Sequence, residues 1–281
     1  MSHEDIQKLR ASIDAIDDRI IDLLNERSGY VKQVGMTKKK RAADGKAFIR
    51  SGREAELVRR IYRKLESGVF PPQAAAQIWR LIICASLSLE SQLTITAYAP
   101  ESHSEIYALA QDYFGSFTSV AKQPTAKRVL GDVIDGKAEV GVLPLPDDTP
   151  EGSWWPRMPE GLRVFACLPF VLAKGAEIKA LAVAKVDPEP TGDDISYVSL
   201  ETDMDVSQSR LKAAFDKQKL EVHWRAVESF ASGHRAHLVE IKGFISPQDS
   251  TMRALTKEIG ASLLAINPIG AYATPLIYAK K

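Results

Sequence analysis

Seven polar side chains near the start of the chain, Arg10, Arg27, Lys38, Arg53, Glu54, Ser86 and Glu90, fall in stretches whose pattern also demands an apolar core. Arg27 and Lys38 lie 11 residues apart. At about 100° per residue, that spacing returns to within about 20° of the same helix azimuth, three turns along. Arg10 is 17 residues ahead of Arg27 and points about a quarter-turn away. Ser86 and Glu90, four apart, share a face of a later helix. Any one of these charges alone reads as solvated surface. Together they read as a lining, because buried cations need partners or a ligand. The expected ligand is a small dianion, held and oriented by fixed charges.

The elements that must carry them follow from the spacing of apolar residues. Ile6, Leu9, Ile13, Ile16, Ile20, Leu23, Leu24, Val31 and Val34 recur at steps of mostly three and four, predicting one helix from about Glu4 to Arg41. Asp44-Gly45 breaks it, a second helix is expected over about Phe48–Ser67, and Gly68 with Pro71-Pro72 sets off a third over Pro71–Leu93. A helix of nearly 40 residues is far above the globular mean of about 11–12. Two shorter partners cannot cover its apolar stripe, so an intertwined dimer is expected. The basic run Lys38-Lys39-Lys40-Arg41 suits a helix C-terminus, with Lys38 turned to the ligand.

Beyond Leu93 the period changes. Strands at Leu93–Ala99, Ser116–Ala121 and Val140–Leu145 alternate with helices at Ser104–Phe114 and Ala126–Ile134, an α/β pattern. Residues 146–161 read as a loop in which Trp154-Trp155 cover an apolar edge, and strands are expected at Leu162–Leu172 and Ala180–Val186. The Pro- and Asp-rich stretch Asp187–Asp194 is the expected boundary of a last unit. That unit reads as strand Ile195–Glu201, helix Ser207–Lys219, strands Glu221–Ser229 and His237–Phe244, helix Ser246–Ile259 capped by Ser246, and strand Leu263–Ile269. The order is βαββαβ, a ferredoxin-like layout. The fold expected is thus multidomain: an all-α three-helix unit at 1–93, a truncated α/β unit at 94–190 and a ferredoxin-like unit at 191–281.

Composition narrows the function classes. With 45% hydrophobic and 26% charged residues and a net charge of +1, the chain matches an ordinary globular protein, and nothing global points to nucleic acid. No apolar run is long enough for a membrane span, and Met-Ser-His-Glu-Asp does not open as a secretory signal, so a cytoplasmic location is expected. Cys84 and Cys167 have neither disulfide density nor metal-ligand spacing. His103, His223, His234 and His237 are scattered without metal-site partners, and the glycines around Gly131–Gly141 follow no phosphate-loop spacing. No metal or cofactor is expected.

The first segment resembles the all-helical chorismate mutase family. The resemblance rests on Leu9-Arg10, Ile13-Asp14, Ile16-Asp17, Leu23-Leu24-Asn25-Glu26-Arg27, Val34-Gly35, Lys38, Arg53-Glu54, Leu81-Ile82-Ile83, Ser86 and Glu90. It implies rearrangement of chorismate to prephenate, a pericyclic step in Phe and Tyr biosynthesis that uses conformer selection and charge stabilisation. Under that resemblance Arg27 clamps one substrate carboxylate and Arg10, from the second subunit, the other. Lys38 donates to the breaking ether oxygen, Glu54 accepts from the ring hydroxyl, Arg53 lines the cleft and Ser86 sits near a carboxylate. Glu90 stands where several members have Gln. A carboxylate donates only when protonated, so activity is expected to fall as pH rises and Glu90→Gln to recover it. Arg50 stands where a member has Asp, and is expected to add positive potential at the mouth.

The remainder resembles degenerate prephenate dehydratase and ACT domains. Tyr98-Ala99-Pro100-Glu101, Ser104, Phe114-Gly115 and Gly136–Pro144 carry the first likeness, and Leu238–Phe244 with Ile269-Gly270-Ala271-Tyr272 the second. Ile178-Lys179-Ala180 replaces the catalytic Thr-Arg-Phe, and Pro146-Asp147-Asp148 replaces Glu-Asn-Ser, so dehydratase activity is expected to be absent. The ACT likeness implies an aromatic amino acid effector. Gln208-Ser209-Arg210-Leu211 stands at its ligand loop, however, and only Glu228-Ser229 remains of Glu-Ser-Arg-Pro. The alternative function is a non-catalytic regulatory or scaffolding protein that binds an aromatic ligand or a partner.

Overall fold

A computed structural model describes residues 2–39, 49–90, 93–101 and 104–279. The expected break at Asp44-Gly45, the basic residues Lys40 and Arg41, Phe48 and His103 lie outside them, as do the side chains of Lys38, Lys39 and Ser104. Three helices come first: α1 (His3–Lys39), α2 (Ser51–Leu65) and α3 (Pro72–Glu90). The 37 residues of α1 span about 55 Å. Every residue from His3 to Glu26 is exposed, including Leu9, Ile13, Ile16, Ile20 and Leu23 on the apolar stripe. Only the C-terminal part of α1 meets the body, where Gly35 lies against Glu90 of α3. A Cβ at Gly35 would stand 3.1 Å from the Glu90 Cγ.

One nine-stranded sheet makes up the body. Its strands are β1 (Thr94–Tyr98), β2 (Ser119–Gln123), β3 (Val140–Pro144), β4 (Arg163–Leu168), β6 (Ala180–Ala184), β7 (Asp194–Asp203), β8 (Val222–Ser229), β9 (His234–Lys242) and β10 (Leu263–Ala273). They lie in the order β2-β1-β3-β6-β4-β10-β7-β9-β8. Helices α4 (Ser104–Phe114) and α5 (Ala126–Ile134) connect the parallel strands β1, β2 and β3, as parallel pairing requires. The short β5 (Val171–Ala173) pairs in parallel with β11 (Leu276–Tyr278) outside this sheet. The single strand expected over Leu162–Leu172 is therefore two, parted at Pro169, which has no N–H to give a ladder.

From β7 onward the order is strand, helix α6 (Gln208–Lys217), two strands, helix α7 (Ser250–Ile259), strand. The four strands pair with one another antiparallel, in the order β10-β7-β9-β8. Ser207 caps α6 by accepting from the Arg210 N–H. The cap expected for α7 at Ser246 is corrected to Asp249, whose carboxylate accepts from the Thr251 N–H at 2.8 Å, while the Ser246 carbonyl closes the preceding turn onto Asp249. The sheet crosses the expected boundary near residue 190 through one bridge, Gly270 against Val164. There φ is +146° and a Cβ would come within 2.2 Å of the Val164 carbonyl oxygen, so only glycine fits.

Two cores result. The larger runs from Val58, Ala76 and Cys84 of the helices through the first strands to Tyr197 and Tyr272. The smaller lies under α6 and α7. Trp154 and Trp155 are both buried, with the Trp154 indole donating to the Pro144 carbonyl at 3.0 Å, so they are core rather than a stacking surface. No helix among the described residues is long and apolar enough to cross a membrane.

Candidate active site

Helix α1 meets α3 at Arg27 and again eight residues, just over two turns, later at Gly35. The Arg27 guanidinium donates to the Ser86 hydroxyl, which itself donates to the Ile82 carbonyl at 2.7 Å. Partial burial of Arg27 lowers its pKa, since a desolvated cation loses hydration. One turn beyond Ser86, Glu90 is buried against Gly35. Arg27 with Ser86 and Gly35 with Glu90 thus bring α1 and α3 together within one chain.

Helix α2 supplies the opposite wall. Its residues Gly52, Arg53, Glu56, Leu57 and Arg60 face an open cleft of about 980 Å³ that Arg27 and Trp79 also line. Their spacing of three and four puts them on one face of α2. Arg50 stands just before the helix and joins the lining. Four guanidinium groups therefore face two carboxylates, those of Glu56 and Glu189, and the cleft carries positive potential suited to an anion.

Glu54 is one residue on from Arg53, about 100° around α2, and points elsewhere. Its Oε2 accepts from the Arg80 Nη2 at 2.6 Å, with the two residues only 8% and 7% exposed. The Arg80 guanidinium lies 4.4 Å from the centre of the Tyr113 ring on α4. Burial pulls the Arg80 pKa down, but neighbouring Tyr113 and Glu54 outweigh it and the net shift is upward. Burial likewise raises the Tyr113 and Cys84 pKa values beside it. Arg10 is exposed on the free part of α1, away from this cleft, and the Lys38 side chain lies outside the described residues.

Residues not anticipated from spacing complete the picture. Arg80 could have been found as a lone cation on a helix face shared with Ala76, Ile83, Cys84 and Leu87. Glu189 and Pro190, read as part of a domain boundary, line the cleft from the connection between β6 and β7. Glu189 Oε1 accepts from the Arg50 Nε at 2.6 Å, so Arg50 is paired rather than an open charge. Among the described residues no three His, Cys, Asp or Glu side chains converge as metal ligands.

Residues 9–91 match the family model described as chorismate mutase type II, and this segment is a chorismate mutase type II domain. A bifunctional chorismate mutase/prephenate dehydratase of Aquifex aeolicus is 32% identical over 149 residues, covering 53% of this chain and 41% of the relative. The protein of that description from Stutzerimonas stutzeri is 32% identical over 158 residues, covering 54% and 42%. The chain therefore spans about two fifths of the length of the curated relatives it matches. Among solved structures, a prephenate dehydratase from Arthrobacter aurescens in complex with L-Phe aligns at a TM-score of 0.48 with 12% identity, over 64% of this chain and 90% of that one.

Proposed function

We propose that the chain is a chorismate mutase of aromatic amino acid biosynthesis that works as a homodimer. The observation that carries this is the arginine-lined cleft, in which Arg27 and Arg53 converge from α1 and α2 beside Ser86, within the segment that matches the mutase model. Arg27 takes one carboxylate of the dianion, and Ser86 holds the guanidinium in place. Arg10 of a second copy takes the other carboxylate, since the long exposed stretch of α1 must cross its partner to cover its apolar stripe. Lys38 stabilises the charge that builds on the ether oxygen, with Glu90 beside the site, and Arg53 adds field. No nucleophile takes part. Glu54, turned from the cleft onto Arg80, supports the wall of the site and does not touch the substrate in this reading.

In the body, Ile178-Lys179-Ala180 offers no Thr-Arg pair for dehydration, and we infer that prephenate is released unchanged. The βαββαβ unit is ACT-like in this reading. The test is loss of chorismate absorbance with purified full-length protein at pH 5.5 and 8. Turnover is expected at both, and Arg27→Ala should lower kcat/KM by about 100-fold or more. A folded dimer without turnover at either pH would instead favour a regulatory protein that senses the dianion.

A further inference from the structure

The connection between β6 and β7 runs along α2 and is fastened to it at two places. Near its start, Gly52 lets the segment approach so closely that a Cβ there would lie 2.7 Å from the Glu189 Cβ and 3.1 Å from the Glu189 carbonyl oxygen. Two turns later Arg59 donates to the Thr191 hydroxyl, the Asp193 carbonyl and the Thr274 carbonyl, each at 2.8 Å. The segment is thus seated, and Glu189 reaches the arginine-lined cleft from it. Among the described residues its carboxylate takes the Nε of Arg50, at 2.6 Å. The two Nη groups make no hydrogen bond among the described residues and remain available to a second acceptor.

We propose that Glu189 is a specificity-determining residue of the cleft: an internal carboxylate, contributed by the C-terminal part of the chain, that competes with an incoming dianion for the Arg50 side of the entrance. The inference rests on the reading of this cleft as the chorismate site. A bound dianion has to approach Glu189 as well as the four guanidinium groups, so Glu189 weakens affinity. In exchange, it discriminates against anions too weakly charged to outweigh it. Because Glu189, Thr191 and Asp193 lie on the strand connection into β7, any shift of that connection changes affinity at the helical site without touching a catalytic group.

The experiment compares the full chain with its Glu189→Gln variant, which keeps an oxygen acceptor for the Arg50 Nε and removes the charge. At low ionic strength the KM for chorismate should fall by about threefold or more, with kcat changing less. The difference should shrink as salt is added, because the effect is screened. Glu189→Ala should move KM in the same direction. A KM that is unchanged, raised, or lowered equally at all salt concentrations overturns the proposal. If the parent chain does not turn over chorismate, the catalytic reading fails by itself. Binding of the dianion isophthalate, followed by calorimetry, then decides this inference: tighter binding by Glu189→Gln at low salt supports it, and equal, weaker or absent binding overturns it.

Discussion

Arg80 is a cation closed off from water, and the side chains around it explain why it can be. Burying a guanidinium costs several kcal/mol after relaxation, and only a close partner with good geometry offsets that. Glu54 supplies the charge at 2.6 Å and Tyr113 supplies a ring face. Removing the charge of one partner leaves the other uncompensated. Glu54→Gln is therefore expected to lower the unfolding free energy by about 3–5 kcal/mol, measured by urea denaturation. Restoring neutrality with Glu54→Gln and Arg80→Met together should recover much of it. A fully stable single variant would mean that the pair is not closed in solution. The helical spacing made Arg27, and separately Ser86 with Glu90, legible as lining residues, since each sits on a face that the periodicity defines, but it did not join Arg27 to Ser86. It could not reveal Arg80 with Tyr113, or Arg50 with Glu189, because those partners meet only after the strands have brought distant segments together.

Among elements, α1 shows how far local pattern reaches. Its apolar residues at steps of three and four gave a helix of the observed length, yet one chain leaves that stripe uncovered from His3 to Glu26. Periodicity says that a face is apolar; it does not say what lies on it. A second copy is the expected cover, so replacing Leu23, 60% exposed here, with Glu should shift the protein from dimer to monomer in sedimentation. It should also abolish turnover, since Arg10 then no longer reaches a partner's cleft. A monomer that keeps full activity would sink this. Strand β9 carries a different test. His237 is buried with Nε2 3.2 Å from the Thr202 hydroxyl, and its Nδ1 has no partner among the described residues. Burial, with the Arg235 charge adding to it, pushes its pKa down to about 4. The unfolded imidazole titrates near 6.5. Above 6.5 both states are neutral and the stability is fully present. As pH falls from 6.5 to 4 the unfolded state binds the proton and the folded one does not, at a cost of about 1.4 kcal/mol per pH unit. Urea unfolding at pH 7 and 4.5 should show that slope, and His237→Leu should reduce it.

The whole molecule joins its helical and α/β parts more closely than a linker would. Val58, Ala76, Ile83, Cys84 and Leu87 belong to the core that continues into Ile95, Tyr113 and Leu143. The Cys84 thiol also donates to the Tyr113 carbonyl at 3.3 Å. Cutting the chain after residue 93 would expose that face of α3, strip Arg80 of Tyr113, and remove Glu189 and the acceptors of Arg59. Exposed apolar patches of this kind lead to self-association or lost stability. The fragment 1–93 is therefore expected to melt at a lower temperature than the full chain, or to form larger oligomers, in calorimetry and light scattering. Any turnover it keeps should have a lower KM at low salt, because the competing carboxylate is gone. A fragment with the melting temperature and oligomeric state of the full chain would show that the body contributes nothing to the helical unit. The body would then need a separate reason to be attached.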